Sequence, residues 1–415
     1  MHNEKIKIKN KKIMIKILTT LTLLFVCLIV QSQTKDSVTT GAQNINDVYY
    51  SFQNGIIKSE PNNNWDLAFE TAGFTGSIMA NHVKGMMVWQ SPYTINNWTN
   101  FDTTNKNSWK TLYNNSRGWS YGALNQHANS NNNPYDLGWG IYNPMNNHTI
   151  TGDTAFLLKL ANGSYKKLII VTLTSNIFTI KYANVDGSNE TTKTIELANF
   201  KGKNFAYFNF DTESTIDREP AANSWDIVFT KYTVLIPTAY NVGGVWTNKG
   251  ITTAEANTAV NTTDYGPFTF VSNNSEIGYD WKTYNQPKNV YDITNNQVYF
   301  LKLANGQVHK IVFTGYKGGA SGTYYFNKQT LTAGLKTLQD LKIELYPNPA
   351  NQQVSILIPE GNKFLTYTLT DVAGKQIDFG NETIIATSHL MEGVYFLSVK
   401  TELGTQHIKF NKSAR

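Results

Sequence analysis

Apolar and polar residues alternate along most of this chain. Ala155–Leu160 and Lys167–Leu173 place apolar side chains at every second position, with Asn162-Gly163 between them. A period of two marks a half-buried strand, and Asn-Gly supplies the positive φ of a tight hairpin. The arrangement returns at Phe300–Phe313 around Asn305-Gly306. VDGSNE (Val185–Glu190) and GGASGT (Gly318–Thr323) read as further hairpin turns. One stretch, Ile251–Val260, reads as a helix, with Thr252 and Glu255 at capping-box spacing. The pattern as a whole predicts an all-β protein.

A longer period lies above the short one. NNNWDLAFE (Asn62–Glu70) and LLKLANGSYKKLII (Leu157–Ile170) recur as ANSWDIVFT (Ala222–Thr230) and FLKLANGQVHKIVF (Phe300–Phe313). The lead-in recurs too, VYYSFQNG from Val48 and FAYFNFDT from Phe205. A repeat bounds the architecture before any single motif does. The expected organisation is a segment 1–32, a polar leader 33–46, units at 47–198 and 199–333, a linker 334–341 and a third, unrelated unit 342–415. Trp65 and Trp225 read as core anchors, because Trp buries a large area. Asp66 and Asp226 then point to the opposite face and bond nearby backbone or cap a turn.

Composition changes the picture at the N-terminus. The formal charge is +6, but residues 1–32 hold six Lys and one Glu, which leaves 30 basic and 29 acidic residues elsewhere. No basic surplus remains to neutralise phosphates, which argues against nucleic acid as a partner. The Lys-rich start, the apolar run Ile17–Val30 and the small residue Ser32 make a secretory signal with its cut after Ser32. The run is shorter than a membrane span. Cys27, the only cysteine, falls inside it, so the mature protein has no disulfide and no thiol chemistry. No nucleophile elbow, HExxH or phosphate loop is present, and the chain reads as a binding protein, not an enzyme.

Two resemblances follow from quoted residues. LYPNPANQQVSI (Leu345–Ile356), TDVAGKQI (Thr370–Ile377), HLMEGVYFLSV (His389–Val399) and HIKFNKS (His407–Ser413) resemble the C-terminal sorting domain of the type IX (Por) secretion system. The resemblance implies a small β-sandwich at 342–415, recognition by that outer-membrane machinery, and an extracellular or cell-surface destination. The repeated unit resembles the HmuY family of secreted haem-binding proteins through Tyr49-Tyr50, Trp65–Phe69 and Leu160–Leu168, and again through Tyr207-Phe208, Trp225–Phe229 and Leu303–Ile311. It implies two tandem HmuY-like β units and raises haem as a ligand.

Haem needs axial ligands, and the mature chain has only His, Met or Tyr to offer. Between its shared motifs, the first unit is about 17 residues longer than the second. It carries Met79, Met86, Met87, Met145, His82, His127 and His148 there, and the second unit has no His or Met in that interval. The candidate ligands are Met86 or Met87 with Met145 or His148, and then His82 and His127. The same surplus is rich in Trp89, Trp98, Trp109 and Trp119, which suits stacking on sugar faces. Glycan binding, or a purely adhesive role, is therefore the alternative. Asp36-Ser37-Val38, Asp102-Thr103-Thr104 and Asp153-Thr154-Ala155 match a bacterial O-glycosylation pattern.

Overall fold

The computed structural model describes residues 33–73, 76–331, 343–358, 363–401 and 404–413. The signal segment 1–32 with Cys27, and the linker 334–341, lie outside them. The described chain is all-β, its longest helical piece being the 3₁₀ turn Ile95–Asn100. It divides into two compact units, one ending at Leu331 and one beginning at Thr332.

The first unit contains two β bodies. In one, an eight-stranded antiparallel sheet includes the hairpin Ala155–Lys159 and Tyr165–Thr174. A four-stranded sheet built on Leu67–Glu70 and Phe205–Asn209 faces it. Leu67, Phe69, Phe156, Leu158, Ile170, Phe178 and Phe208 fill the space between. In the other body, a five-stranded sheet includes Gln297–Lys302 and Val308–Tyr316. Its companion pairs Asn46–Ser51 with Ile227–Leu235, and Val48, Tyr50, Ile227, Phe229, Leu301 and Phe326 form the core. Alternation produced these strands: each buries its apolar face and leaves the other for solvent or a second layer. Both expected Asn-Gly hairpins form, with φ of 87° at Gly163 and 84° at Gly306.

The repeats do not fold separately. The first lead strand, Asn46–Ser51, pairs with the Trp-Asp strand of the second repeat, Tyr49 opposite Val228. The second lead strand, Phe205–Asn209, pairs with the Trp-Asp strand of the first, Tyr207 opposite Ala68. The boundary expected at 198/199 therefore does not separate the bodies. The aspartates latch the crossing: Asp226 accepts the Phe52 N–H at 2.7 Å, and Asp66 accepts the Phe210 N–H at 2.8 Å. Both carboxylates do bond backbone, as expected, but backbone of the other repeat and not of their own neighbourhood.

Two local expectations are corrected. Ile251–Val260 is not helical: Thr252–Asn257 is a strand paired with Gln297–Lys302. Ala254 and Ala256 are buried while Glu255 is exposed, a period of two, and β-branched Thr252 and Thr253 favour it. Glu255 caps nothing and accepts from the Gln297 amide at 2.7 Å. The leader is no loose segment either, since Thr34–Thr39 adds an edge strand against Thr323–Leu331.

The second unit is a sandwich of a three-stranded and a four-stranded antiparallel sheet. Leu345, Val354, Ile356 and Ile385 from one sheet meet Leu369, Leu397, Val399 and Phe410 from the other.

Candidate functional site

The crossing brings the two Trp-Asp motifs together. Trp225 meets Tyr49 edge-on with ring centroids 5.0 Å apart, and Trp65 meets Tyr207 in the same way at 5.2 Å. Reciprocal contacts of this kind are the mark of a two-fold relation. The backbone around them repeats it. Asn81 donates to the carbonyls of Asn62 and Trp65, and Asn248 to those of Ala222 and Trp225.

A chamber of about 90 Å³ lies among these rings, walled also by Trp119, Tyr232, Trp246, Met79 and His82. Asn114 and Thr233 line both this chamber and a wider groove of about 550 Å³. The groove runs between residues 110–116 of one body and Thr233–Ile236 of the other. Leu235 and Ile236 on its rim are more than half exposed. Trp119 comes from the surplus segment of the first repeat and fills the junction. Its indole N–H donates to the Thr247 carbonyl at 2.9 Å, and its ring packs on Trp246 and Phe205.

The buried charges at the chamber are committed, while Lys231 reaches only the Gln43 carbonyl. Arg218 is fully buried and donates to Asp47, Asn64, Tyr49 and the Pro61 carbonyl. Burial would depress its pKa, but Tyr49, Asp47 and Tyr207 outweigh that and hold it above its ordinary value. Burial pushes Glu219 up to about 7, against the N–H groups of Asn204 and Phe205 and the nearby Arg218. Burial lowers His82 to about 4, so its ring is neutral. Its Nδ1 lies 3.0 Å from the Met86 carbonyl oxygen, which can only accept. Nδ1 therefore carries the proton, and Nε2 presents a lone pair. That Nε2 and the indole N–H groups of Trp65, Trp225 and Trp246 are buried with no hydrogen-bond partner.

The expected haem ligands do not assemble. Met86 is buried in the hydrophobic core of the first body and Met145 is 93% exposed. Met87 is half-buried on its strand, and His148 is exposed beside the Tyr142 hydroxyl. His127 is held by Gln90 and Thr154. Of the His and Met residues, Met79 and His82 reach the chamber lining. They suit axial ligation in type, but a flat macrocycle does not fit about 90 Å³ when drug-sized ligands occupy about 300–1,000 Å³. Among the described residues no group of three or more His, Cys, Asp or Glu could hold a metal ion.

The aromatic candidates separate as well. Trp89, Trp98 and Trp109 pack with Phe101, Leu157 and Ile169 in a cluster of their own. The Trp98 N–H is taken by Glu190 at 2.7 Å. Trp119 alone of the four lines the chamber. Trp65 and Trp225 do pack in a hydrophobic cluster, as core anchors should, and nothing local in the sequence signals their part in a cavity. The repeat itself was the available clue, because two copies of one aromatic motif can meet across an axis.

Comparison with known proteins adds the tail. Residues 344–412 match the family model of the secretion system C-terminal sorting domain. This tail marks the chain for export by the type IX system to the cell surface or the extracellular space. No curated protein matches the chain. A crystal structure of a Bacteroides vulgatus protein described as HmuY-like and heme-binding is similar at 16% identity. It covers 31% of this chain and 85% of that one, with a TM-score of 0.18. At that score the likeness leaves the haem question to the residues of this chain. No helix among the described residues is long and apolar enough to cross a membrane.

Proposed function

We propose that this exported protein acts by binding, not catalysis, and takes a carbohydrate ligand into the groove and chamber between its two β bodies. The observation that carries this reading is the chamber itself. Aromatic rings wall it, and it shares residues with a groove wide enough for the rest of a ligand. Rings supply faces for the C–H surface of a sugar.

The test is a glycan array followed by titration of tryptophan fluorescence. Trp119→Ala should weaken binding more than tenfold, because it removes a wall. Trp89→Ala and Trp98→Ala should leave affinity within twofold, because those rings pack elsewhere. Equal losses from all three would sink the site. Haemin titration of the same protein should give no saturable Soret shift; a shift abolished by His82→Ala would replace sugar with haem.

A further inference from the structure

Consecutive residues, not alternate ones, wall the cavity on the side of the second body. Thr230, Lys231, Tyr232 and Thr233 line the chamber, and Thr233, Val234, Leu235 and Ile236 line the groove. A sheet face presents every second residue of a strand, so an unbroken run means that Ile227–Leu235 meets the cavity along its edge. The pairing leaves that edge open. On one side the strand pairs with Ala239–Thr247 over its whole length. On the other it pairs with the first lead strand only as far as Phe229, opposite Val48. Register fixes which backbone groups remain. The Asn248 N–H donates to the Asp226 carbonyl at 2.9 Å, so the hydrogen-bonded pairs with Ala239–Thr247 fall at Val228, Thr230, Tyr232 and Val234. The N–H and C=O groups of Thr233 and Leu235 point the other way, beyond the end of the lead strand, where no described residue pairs with them.

Proteins blunt open edges with charge, proline or brevity. The opposite wall follows that rule, since its strand Thr111–Leu112 is two residues long. The edge along Ile227–Leu235 does not. Its one charged residue, Lys231, is drawn to the Gln43 carbonyl, and Leu235 and Ile236 are more than half exposed. An edge that alternates N–H and C=O groups has another extended main chain as its complement, with apolar side chains seated beside it. We infer that an extended polypeptide strand adds along Thr233–Leu235, and that the sugar read by the chamber is carried on that polypeptide. Thr233 belongs to both chamber and groove, so a main chain on this edge delivers a side-chain sugar to the rings. This deepens the carbohydrate reading. Its sugar half rests on that reading, and its strand half stands without it.

The full-length secreted protein is titrated with a labelled octapeptide of alternating Thr and Val, bare and with its central Thr bearing the sugar that the glycan array selects. The expected result is at least tenfold tighter binding of the glycopeptide than of the bare peptide or the free sugar, because two linked contacts act together. N-methylation of one alternate set of peptide amides should weaken binding at least fivefold, and of the other set less than twofold, since a strand bonds one edge through every second residue. Thr233→Pro removes an N–H that the sheet does not use. It should weaken the glycopeptide at least fivefold and the free sugar less than twofold. The N-methyl series carries the test if the circular dichroism spectrum of that variant is altered. Equal affinity for glycopeptide and free sugar overturns the inference and leaves the carbohydrate reading standing. Bare-peptide binding with a silent glycan array overturns the carbohydrate reading and retains the strand. Equal losses from the two N-methyl sets overturn the strand. A concentration-dependent dimer that excludes the peptide also overturns it, and puts a second copy on the edge instead.

Discussion

Arg218 shows how much a single side chain holds at this site. It is fully buried and its partner Asp47 is nearly so, with a 2.7 Å bond between them. Arg218→Met leaves Asp47 charged and unpaired, and should cost about 3–5 kcal/mol in urea denaturation. Arg218→Lys should recover little, since an ammonium cannot reproduce the planar fork. Titration offers a second prediction. The unfolded chain protonates His82 near the ordinary histidine value of 6.5, and the folded chain does so only near 4. That contribution to stability is full above pH 6.5 and is lost as pH falls toward 4. His309, lowered to about 4 by burial and then by Lys328, acts in the same sense. Glu219 opposes them: raised from 4.5 to about 7, its contribution is full below pH 4.5 and is lost by about pH 7. Glu219→Gln should therefore lose melting temperature more steeply than the parent between pH 6.5 and 4.5. An unchanged or shallower slope would contradict the assignment. None of this was visible in sequence. Trp65 and Trp225 announce burial by size, but the acceptors they lack depend on what the fold brings beside them.

At the scale of elements, hairpins were legible and partnerships were not. Asn162-Gly163 and Asn305-Gly306 encode their turns locally, so the flanking strands could be read directly. Which lead strand pairs with which Trp-Asp strand is not encoded locally, because the two copies of each carry the same pattern. Either pairing satisfies the alternation. The helix expected at Ile251–Val260 failed for a related reason: a weak capping signal lost to strand pairing along Thr252–Asn257. The latches give a direct measurement. Asp226→Ala leaves the Phe52 N–H without its acceptor and should destabilise by about 1–3 kcal/mol. Asp66→Ala should cost at least as much, since Lys84, 2.9 Å from Asp66, loses a partner too. If either variant melts with the parent, the aspartates do not latch the crossing.

For the molecule as a whole, the tail was the most legible part, because its motifs are local and ordered along the chain. Deleting residues 342–415 should leave the protein in the periplasm, read by fractionation and surface protease access. Normal delivery without the tail would refute its role. The site was the least legible part. The surplus segment of the first repeat contributes Trp119 and His82 to the chamber lining, while Met86, Met87, Met145 and His148 lie elsewhere. The walls of the chamber come from both repeats, which no reading of one repeat alone could assemble.

The crossed strands also bear on how this chain is made and how it can change. The Phe52 N–H meets its acceptor 174 residues later, and the Phe210 N–H meets its own across 144. Contacts so distant along the chain slow folding, because long loops must close before any reward arrives. The first copy cannot complete its strand pairing until Phe205–Asn209 and Ile227–Leu235 of the second have left the ribosome and the translocon. A fragment ending at residue 198 should accumulate as a dimer or aggregate, measurable by light scattering, since its lead strand and its Trp-Asp strand each lack their partner. The same dependence governs inheritance. A duplication can ordinarily be undone by losing one copy, but here such a loss leaves two open sheet edges. Once the strands crossed, one copy alone could close its sheets only by pairing with a second chain.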